Sequence, residues 1–126
     1  MRVDILTGSR AWAGDRAVVR KLLEGCDMLI VGDCKTGGDQ VALEEALKAD
    51  IIVKQFFAAD FGSWPSCGPK RNSGMVKFGV ECREFAQVVG HALWWPVAGN
   101  RGTTDCWRKM KLAGIEIVAG AEGPPT

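Results

Sequence analysis

Residues 27–50, DMLIVGDCKTGGDQVALEEALKAD, decide the fold because they contain a complete strand, turn and helix. The apolar run DMLIVG predicts a buried strand, and the glycine-rich turn DCKTGGD follows it. The next segment, QVALEEALKAD, consists mainly of strong helix formers, and Asp39 is available as its N-cap. A strand that passes through a short turn into a helix is the repeating unit of a parallel α/β sheet.

The same alternation continues in both directions along the chain. Before residue 27, the strand VDILTG leads to Asp15 as an N-cap, to apolar residues at helical spacing and to Gly25 as the helix stop. After residue 50, the patterns predict a strand at 51–57, an irregular stretch at 58–74, a helix at 75–89, a strand at 92–97, a helix ending near Ala113 before Gly114, and a strand at 115–119.

This order predicts the class and organisation of the fold. We expect an α/β protein, a small doubly wound Rossmann-like domain whose mostly parallel five-stranded sheet carries helices on both faces. The domain is expected to span residues 1–119, and residues 120–126 are expected to form a disordered tail.

Composition narrows the classes of function. The net charge of +1 gives no general attraction for a polyanion, so we do not expect a nucleic-acid partner. The sequence has no apolar run long enough to span a membrane and no secretory signal, and its five cysteines fit reduced thiols. We therefore expect a cytoplasmic protein. The sequence has one histidine and no C-x-x-C pair, so we expect neither a metal site nor a cofactor.

Three unusual turns follow predicted strands and should meet at one edge of the sheet. They are GSR after the first strand, GDCKTGGD after the second and GNRGTTD after the fourth. Ligands of such folds bind beyond the carboxyl ends of the strands. The candidate ligand contacts in the first two turns are Gly8, Ser9, Arg10, Gly37, Gly38 and Asp39. Gly38 stands where a Walker loop needs lysine, which argues against an NTPase, and no G-x-G-x-x-G is present. The alternative is that these residues only form tight turns.

The last turn is the richest in candidate site residues. Gly99 and Gly102 bracket Asn100 and Arg101, so bare backbone N–H groups could cradle an anion. Thr103 or Thr104 can N-cap the following helix, with Asp105 in its first turn. Capping alone is an equally good explanation of this composition.

Two further features could serve the same site. In GPKRN, residues 68–72, Arg71 offers a planar fork for phosphate or carboxylate beside Asn72, although a solvated surface loop is the alternative. Trp12 and Trp64 follow strands, where an aromatic face could stack on a base, although packing against the protein is the commoner role.

Taken together, TGSR–W, G-x-x-x-x-GGD, GPxRNxxMV and GNRGTTD resemble the motifs of the SLOG superfamily, in this order and from about Val3 to Val118. The chain looks most like small bacterial and phage members with GSR, GPxRN and RGT signatures. It is more distantly similar to the Lonely Guy phosphoribohydrolases and to DNA-processing protein A.

The resemblance implies a nucleotide or nucleotide-derived ligand. Lonely Guy enzymes cleave the N-glycosidic bond of nucleoside 5′-monophosphates with a P-G-G-x-G-T-x-x-E motif and an upstream arginine. By this resemblance Gly99, Gly102 and Thr103 bind the phosphate, Asp105 takes the part of the glutamate, and Arg71 matches the upstream arginine. Catalysis by Asp105 and Arg71 is one hypothesis, and a non-catalytic sensor or binding module is its rival. The resemblance also raises a homodimer, as in Lonely Guy relatives.

Overall fold

The protein forms one parallel β-sheet covered by helices. The computed structural model describes residues 1–96 and 98–125. Its elements in chain order are β1 (Arg2–Gly8), α1 (Arg16–Leu22), β2 (Met28–Val31), α2 (Gly37–Lys48), β3 (Ile52–Gln55), a short 3-10 helix (Ala58–Phe61), α3 (Cys67–Cys82), β4 (Gln87–Leu93), α4 (Arg101–Leu112) and β5 (Glu116–Ala119).

The strand order is β3-β2-β1-β4-β5, and every neighbouring pair is parallel. Val3 in the central strand β1 is aligned with Met28 of β2 on one side and with Val88 of β4 on the other. The predicted α/β fold with a five-stranded sheet is therefore confirmed. The order reverses between β1 and β4, so the loops after these two strands open the crevice where such sheets bind ligands.

Helices cover both faces of the sheet, as predicted. Val3 and Ile5 of β1 pack in a buried cluster with α3 and α4, and Leu6 packs in a second cluster with α1 and α2. This division follows from the alternation of side chains along a strand. Several predicted helix ends are also confirmed. The Asp15 carboxylate accepts a hydrogen bond from the Ala17 N–H at 2.9 Å, and Gly114 has a φ of +72° just after α4.

The middle of the chain differs from the prediction. Helix α3 begins at Cys67, eight residues before the predicted start, and therefore includes GPKRN. Gly68 and Pro69 fell in the predicted irregular stretch at 58–74, but proline fits the first turn of a helix, where its missing N–H has no partner to lose. This arginine-bearing segment is thus a rigid helix start and not a loop.

Strand β4 runs from Gln87 to Leu93, whereas the prediction placed a strand at 92–97 and extended the preceding helix to Val89. Gly90 was the misleading residue, since glycine weakens the signal of a strand. It is required there because a Cβ would lie 2.6 Å from the sulfur of Met110. His91, which was expected to precede the strand, is buried inside it with Nε2 2.8 Å from Asp4 Oδ2.

The starts of two helices also need correction. Helix α2 begins at Gly37, so Asp39 lies inside its first turn and does not cap it. Helix α4 begins at Arg101 after Asn100, so neither Thr103 nor Thr104 is its N-cap. Asp105 consequently falls in the second turn of α4. In both cases the glycines were assigned to the preceding turn, but they form part of the helix start.

The segment after β5 lies against the domain. The indole Nε1 of Trp94 donates a hydrogen bond to the Gly120 carbonyl at 2.9 Å, and Gly123 is close to the ring of Trp107. Disorder of residues 120–126 stays a prediction, and Thr126 is outside the described residues.

Across residues 1–96 and 98–125, no helix combines the length and the apolar character that crossing a bilayer requires.

Candidate functional site

A pocket of about 260 Å³ opens at the carboxyl edge of the sheet, where the loops after β1 and β4 meet the start of α3. Three chain segments line it: the loop after β1, the approach to and first turns of α3, and the start of α4. The lining residues are Arg10, Trp64, Pro65, Gly68, Pro69, Arg71, Asn72, Arg101, Gly102 and Asp105. Of the predicted site residues, Arg10, Arg71, Asn72, Arg101, Gly102 and Asp105 are therefore brought together.

Two helices point their N-termini at this pocket, and neither start is closed by a capping side chain. At α3, the Ser66 hydroxyl donates to the Ser63 carbonyl at 3.4 Å and does not cap the helix. At α4, the Asn100 side chain is used on Trp95, whose N–H donates to Oδ1 at 3.0 Å. At α3 the Cys67 N–H already donates to the Ser63 carbonyl at 3.2 Å and Pro69 has no N–H, so it is mainly the start of α4 that offers free N–H groups. Free N–H groups and the positive end of the helix dipole favour an anion.

Arg71 is held mainly by the protein itself. Its Nη1 donates to Asp33 Oδ1 at 2.9 Å and its Nη2 donates to Asn72 Oδ1 at 3.0 Å. Only 15% of its side chain is exposed. The guanidinium therefore braces α3 against the loop after β2, and only its edge is available to a ligand.

Asp39 is a buried carboxylate next to this guanidinium. Gly8 donates its N–H to Asp39 Oδ1 at 3.1 Å, which ties α2 to the end of β1. Burial raises the pKa of Asp39 to about 6, and the positive charge of Arg71 opposes that rise. Asp39 does not line the pocket. Its observed hydrogen bond joins α2 to β1, and Arg71 acts on it through charge alone.

Asp105 is fixed through one carboxylate oxygen. Oδ2 accepts hydrogen bonds from Asn72 Nδ2 at 3.0 Å and from Lys109 Nζ at 2.8 Å. Lys109 also donates to the Pro69 carbonyl at 2.8 Å, so it links α4 to α3. Within residues 1–96 and 98–125, no hydrogen bond engages Oδ1 of Asp105. The carboxylate is thus oriented at the pocket wall with one free oxygen.

The match of Asp105 to the family glutamate is wrong by one position. When P-G-G-x-G-T-x-x-E is aligned without a gap to the turn that begins at Ala98, the glutamate falls on Cys106. Cys106 is fully buried, and burial raises the pKa of its thiol to about 12, so it is neutral and inert at pH 7. Asp105 is the acid of this turn that reaches the pocket, and its candidacy rests on that geometry.

The remaining predicted ligand contacts lie outside the pocket lining. The Ser9 hydroxyl is buried and already used, because it donates to the Ala98 carbonyl at 2.9 Å and accepts from the Ala11 N–H at 3.1 Å. Thr104 donates its hydroxyl to the Asn100 carbonyl at 2.8 Å. The others outside the lining are Gly8, Gly37, Gly38, Asp39, Gly99, Asn100 and Thr103. Direct ligand contact by this group stays a prediction.

The glycines in this group allow the three loops to touch. A Cβ on Gly8 would lie 2.6 Å from the Cα of Gly38, and a Cβ on Gly99 would lie 2.6 Å from Ser9 Oγ. Gly37 has a φ of +74° and packs on the backbone of residues 9 and 10. The sequence suggested that these glycines let a ligand approach the backbone. In the structure they let the backbones of the loops approach one another.

We expect Gly37→Ala to lower the free energy of unfolding by about 3 kcal/mol. Alanine is strained in the left-handed backbone conformation at this position, and its Cβ would overlap the backbone of Ser9 and Arg10. Urea denaturation would measure the loss. Gly68→Ala is the matched control, since no atom lies within 4 Å of a Cβ there, and it should be neutral or mildly stabilising. Equal stability of the two variants would contradict this packing role.

The sequence interpretation missed two side chains of this site. Lys109 lies four residues after Asp105, and that helical spacing between opposite charges was a usable signal. Asp33 lies two residues after the end of β2, but nothing local indicates that it pairs with Arg71, 38 residues away. Trp64, whose role was left open, is 76% exposed and lines the pocket.

Comparison with known proteins adds no assignment. No protein-family model matches the chain, and no curated protein matches it either. The resemblance to the SLOG superfamily therefore stays a hypothesis. In the part of the chain that the structure describes, no group of three or more His, Cys, Asp or Glu side chains could hold a metal ion.

Proposed function

We propose that the pocket binds a nucleoside 5′-monophosphate or a closely related nucleotide. The observation that carries this proposal is the uncapped start of α4 at one pocket that Arg10 and Arg101 also line. Backbone N–H groups at a helix start and arginine side chains both favour phosphate. The order of the turns along the chain, as in the SLOG superfamily, supports a nucleotide as the bearer of that phosphate.

The charges at the pocket support phosphate binding by two of the three arginines. Arg10 and Arg101 are exposed and form no salt bridge with any residue in 1–96 or 98–125, whereas Arg71 is paired with Asp33. An incoming phosphate would therefore gain two unpaired guanidinium groups without first breaking an internal ion pair. Arg71 contributes mainly by holding Asn72 in place.

Hydrolysis of the N-glycosidic bond is the first candidate activity, and the free Oδ1 of Asp105 favours it. In this reaction the C1′–N bond breaks, its electron pair leaves with the base, and a water oxygen bonds to C1′. One water proton ends on the base, which gives free base and ribose 5-phosphate. Asp105 would stabilise the positive charge on the sugar and orient the water, as carboxylates do in glycoside hydrolysis.

A non-catalytic binding module is the second candidate, and a different observation favours it. Asp105 is the single carboxylate among the described lining residues, and the lining contains no histidine, cysteine or lysine. A leaving base needs a proton, and a hydrolase commonly supplies it from a second group. The same pocket could therefore bind a nucleotide as a sensor without turnover.

Titration calorimetry with ribo- and deoxyribonucleoside 5′-monophosphates tests the proposed binding. We expect Arg101→Ala to weaken binding on the order of tenfold or more, the loss typical of a charge-assisted hydrogen bond. Arg108→Ala is the matched control, because it removes an exposed arginine from the same helix away from the pocket lining and should leave affinity unchanged.

Two results would oppose the proposal. Failure of every nucleotide to bind the wild-type protein would remove it. Equal losses in Arg101→Ala and Arg108→Ala would show a general charge effect and not a site at the start of α4.

A further inference from the structure

Trp64 differs from the other tryptophans in this protein. Trp12 forms an edge-to-face pair with Trp95, and Trp94 forms one with Trp107. Among the described residues Trp64 has no aromatic partner, although 76% of it is exposed and it lines the pocket. An exposed indole without a partner at the mouth of a binding pocket points to a ligand with a flat apolar face.

The pocket lining is divided into two chemically distinct flanks. The apolar flank consists of Trp64 and the lining residues that follow it in the chain, Pro65, Gly68 and Pro69, and these three carry no side-chain hydrogen-bonding group. The polar flank consists of the charged residues of the lining, Arg10, Arg71, Arg101 and Asp105, together with Asn72; Arg71 and Asn72 lie on α3 just after Pro69. A nucleotide has the same division, since its base is flat and its sugar phosphate is polar. The polar flank suits the phosphate and the ribose, which leaves the base for Trp64.

We propose that Trp64 stacks on the base of the bound nucleotide and that the site recognises the face of the base, not its edge. This inference rests on the proposed function. The one side-chain hydrogen-bonding group among the residues of the apolar flank is the indole N–H of Trp64, which lies in the plane of the ring and does not point at a base stacked on its face. Selectivity therefore follows the area of the stacked ring. Purine nucleotides bind more tightly than pyrimidine nucleotides, and AMP and GMP bind with similar affinity.

Calorimetry with AMP, GMP, CMP, UMP and ribose 5-phosphate tests this assignment, over times too short for base release. Stacking of a base on an aromatic side chain is worth roughly 5- to 100-fold in affinity, so AMP should exceed ribose 5-phosphate by that factor. Trp64→Ala should remove most of this gain and leave ribose 5-phosphate binding unchanged. Trp64→Phe should retain part of it, because a smaller ring still offers a face.

Phe85→Ala is the matched control, since Phe85 is an aromatic side chain that is 62% exposed and lies outside the pocket lining. It should leave all five affinities unchanged. Thermal unfolding of Trp64→Ala should match that of the wild-type protein, because little of the indole is buried.

The outcomes separate this inference from the function on which it rests. If ribose 5-phosphate binds but AMP binds no more tightly, or if Trp64→Ala leaves AMP affinity unchanged, the stacking role is wrong and the phosphate site stands. If AMP and GMP differ by more than about tenfold, recognition of the base edge replaces recognition of its face. If neither the nucleotides nor ribose 5-phosphate bind, the proposed function is wrong and the inference is lost with it.

Discussion

Arg71→Met is expected to lower the free energy of unfolding by about 3 kcal/mol at pH 8, the scale seen when one partner of a largely buried ion pair is removed. The variant keeps the aliphatic stem but leaves Asp33 without its cation and Asp39 buried beside an apolar group. Urea denaturation measures the loss. Lys70→Met, an exposed neighbour on α3, is the control and should be nearly neutral.

The loss caused by Arg71→Met should shrink in acid. The pKa of Asp39 is raised to about 6 in the folded protein, so the stability from this group is fully present below its unfolded pKa of about 4 and is lost as pH rises through 6. Without Arg71 the folded pKa rises further, so the decline continues to higher pH. The two proteins should therefore differ less at pH 5, where Asp39 is mostly protonated in both, than at pH 8.

A loss of stability that does not change between pH 5 and pH 8 would show that Arg71 acts through packing or through Asp33 alone. The carboxyl ¹³C signal of Asp39 gives an independent measurement. Its titration midpoint should lie near 6 in the wild-type protein and higher in Arg71→Met.

Asp105→Asn is expected to reduce base release by a hundredfold or more if the protein is an N-glycosidase. The change removes the negative charge that would stabilise the positive sugar, and loss of one preorganised electrostatic group costs about that factor. Asparagine keeps an oxygen that can accept from Asn72 and Lys109, so the fold should be retained. Chromatography of free base from nucleoside 5′-monophosphates measures the rate.

Asp60→Asn is the matched control, because it removes an exposed carboxylate away from the pocket lining and should not change the rate. Base release that continues unchanged in Asp105→Asn would contradict a catalytic role for this carboxylate. Absence of release in the wild-type protein, with nucleotide binding intact, would instead establish the binding module and leave Asp105 as a positioning group for the start of α4.

The fold was predictable because its signals are local. Apolar runs such as 27–32, helix formers after them and glycines at helix ends each specify an element within a few residues, and the parallel order follows from their alternation. The errors fell where a residue has two opposite uses. Pro69 can end a helix or begin one, and Gly90 can break a strand or admit a neighbouring side chain.

The site was predictable in location but less so in the roles of its residues. The turns after β1 and β4 do meet at the sheet edge, and Arg10, Arg101 and Asp105 reach one pocket. Internal partners could not be seen in the sequence. Arg71 is paired with Asp33, 38 residues earlier in the chain. Asn72 accepts from Arg71 and donates to Asp105, 33 residues later. The hydrogen-bonding groups of Arg71 and Asn72 are therefore partly used by the protein before any ligand binds.

The tight glycine contacts between the loops restrict where this site can change over evolution. At Gly8, Gly37 and Gly99 even one added methyl group meets backbone or a buried hydroxyl, so these positions accept little besides glycine. By contrast, nothing lies within 4 Å of an added Cβ at Gly68, whereas Gly62 has equal space but a φ of +118° that favours glycine. Changes to the pocket would therefore arise more easily in residues 64–68, while the glycines that hold the three loops together stay constant.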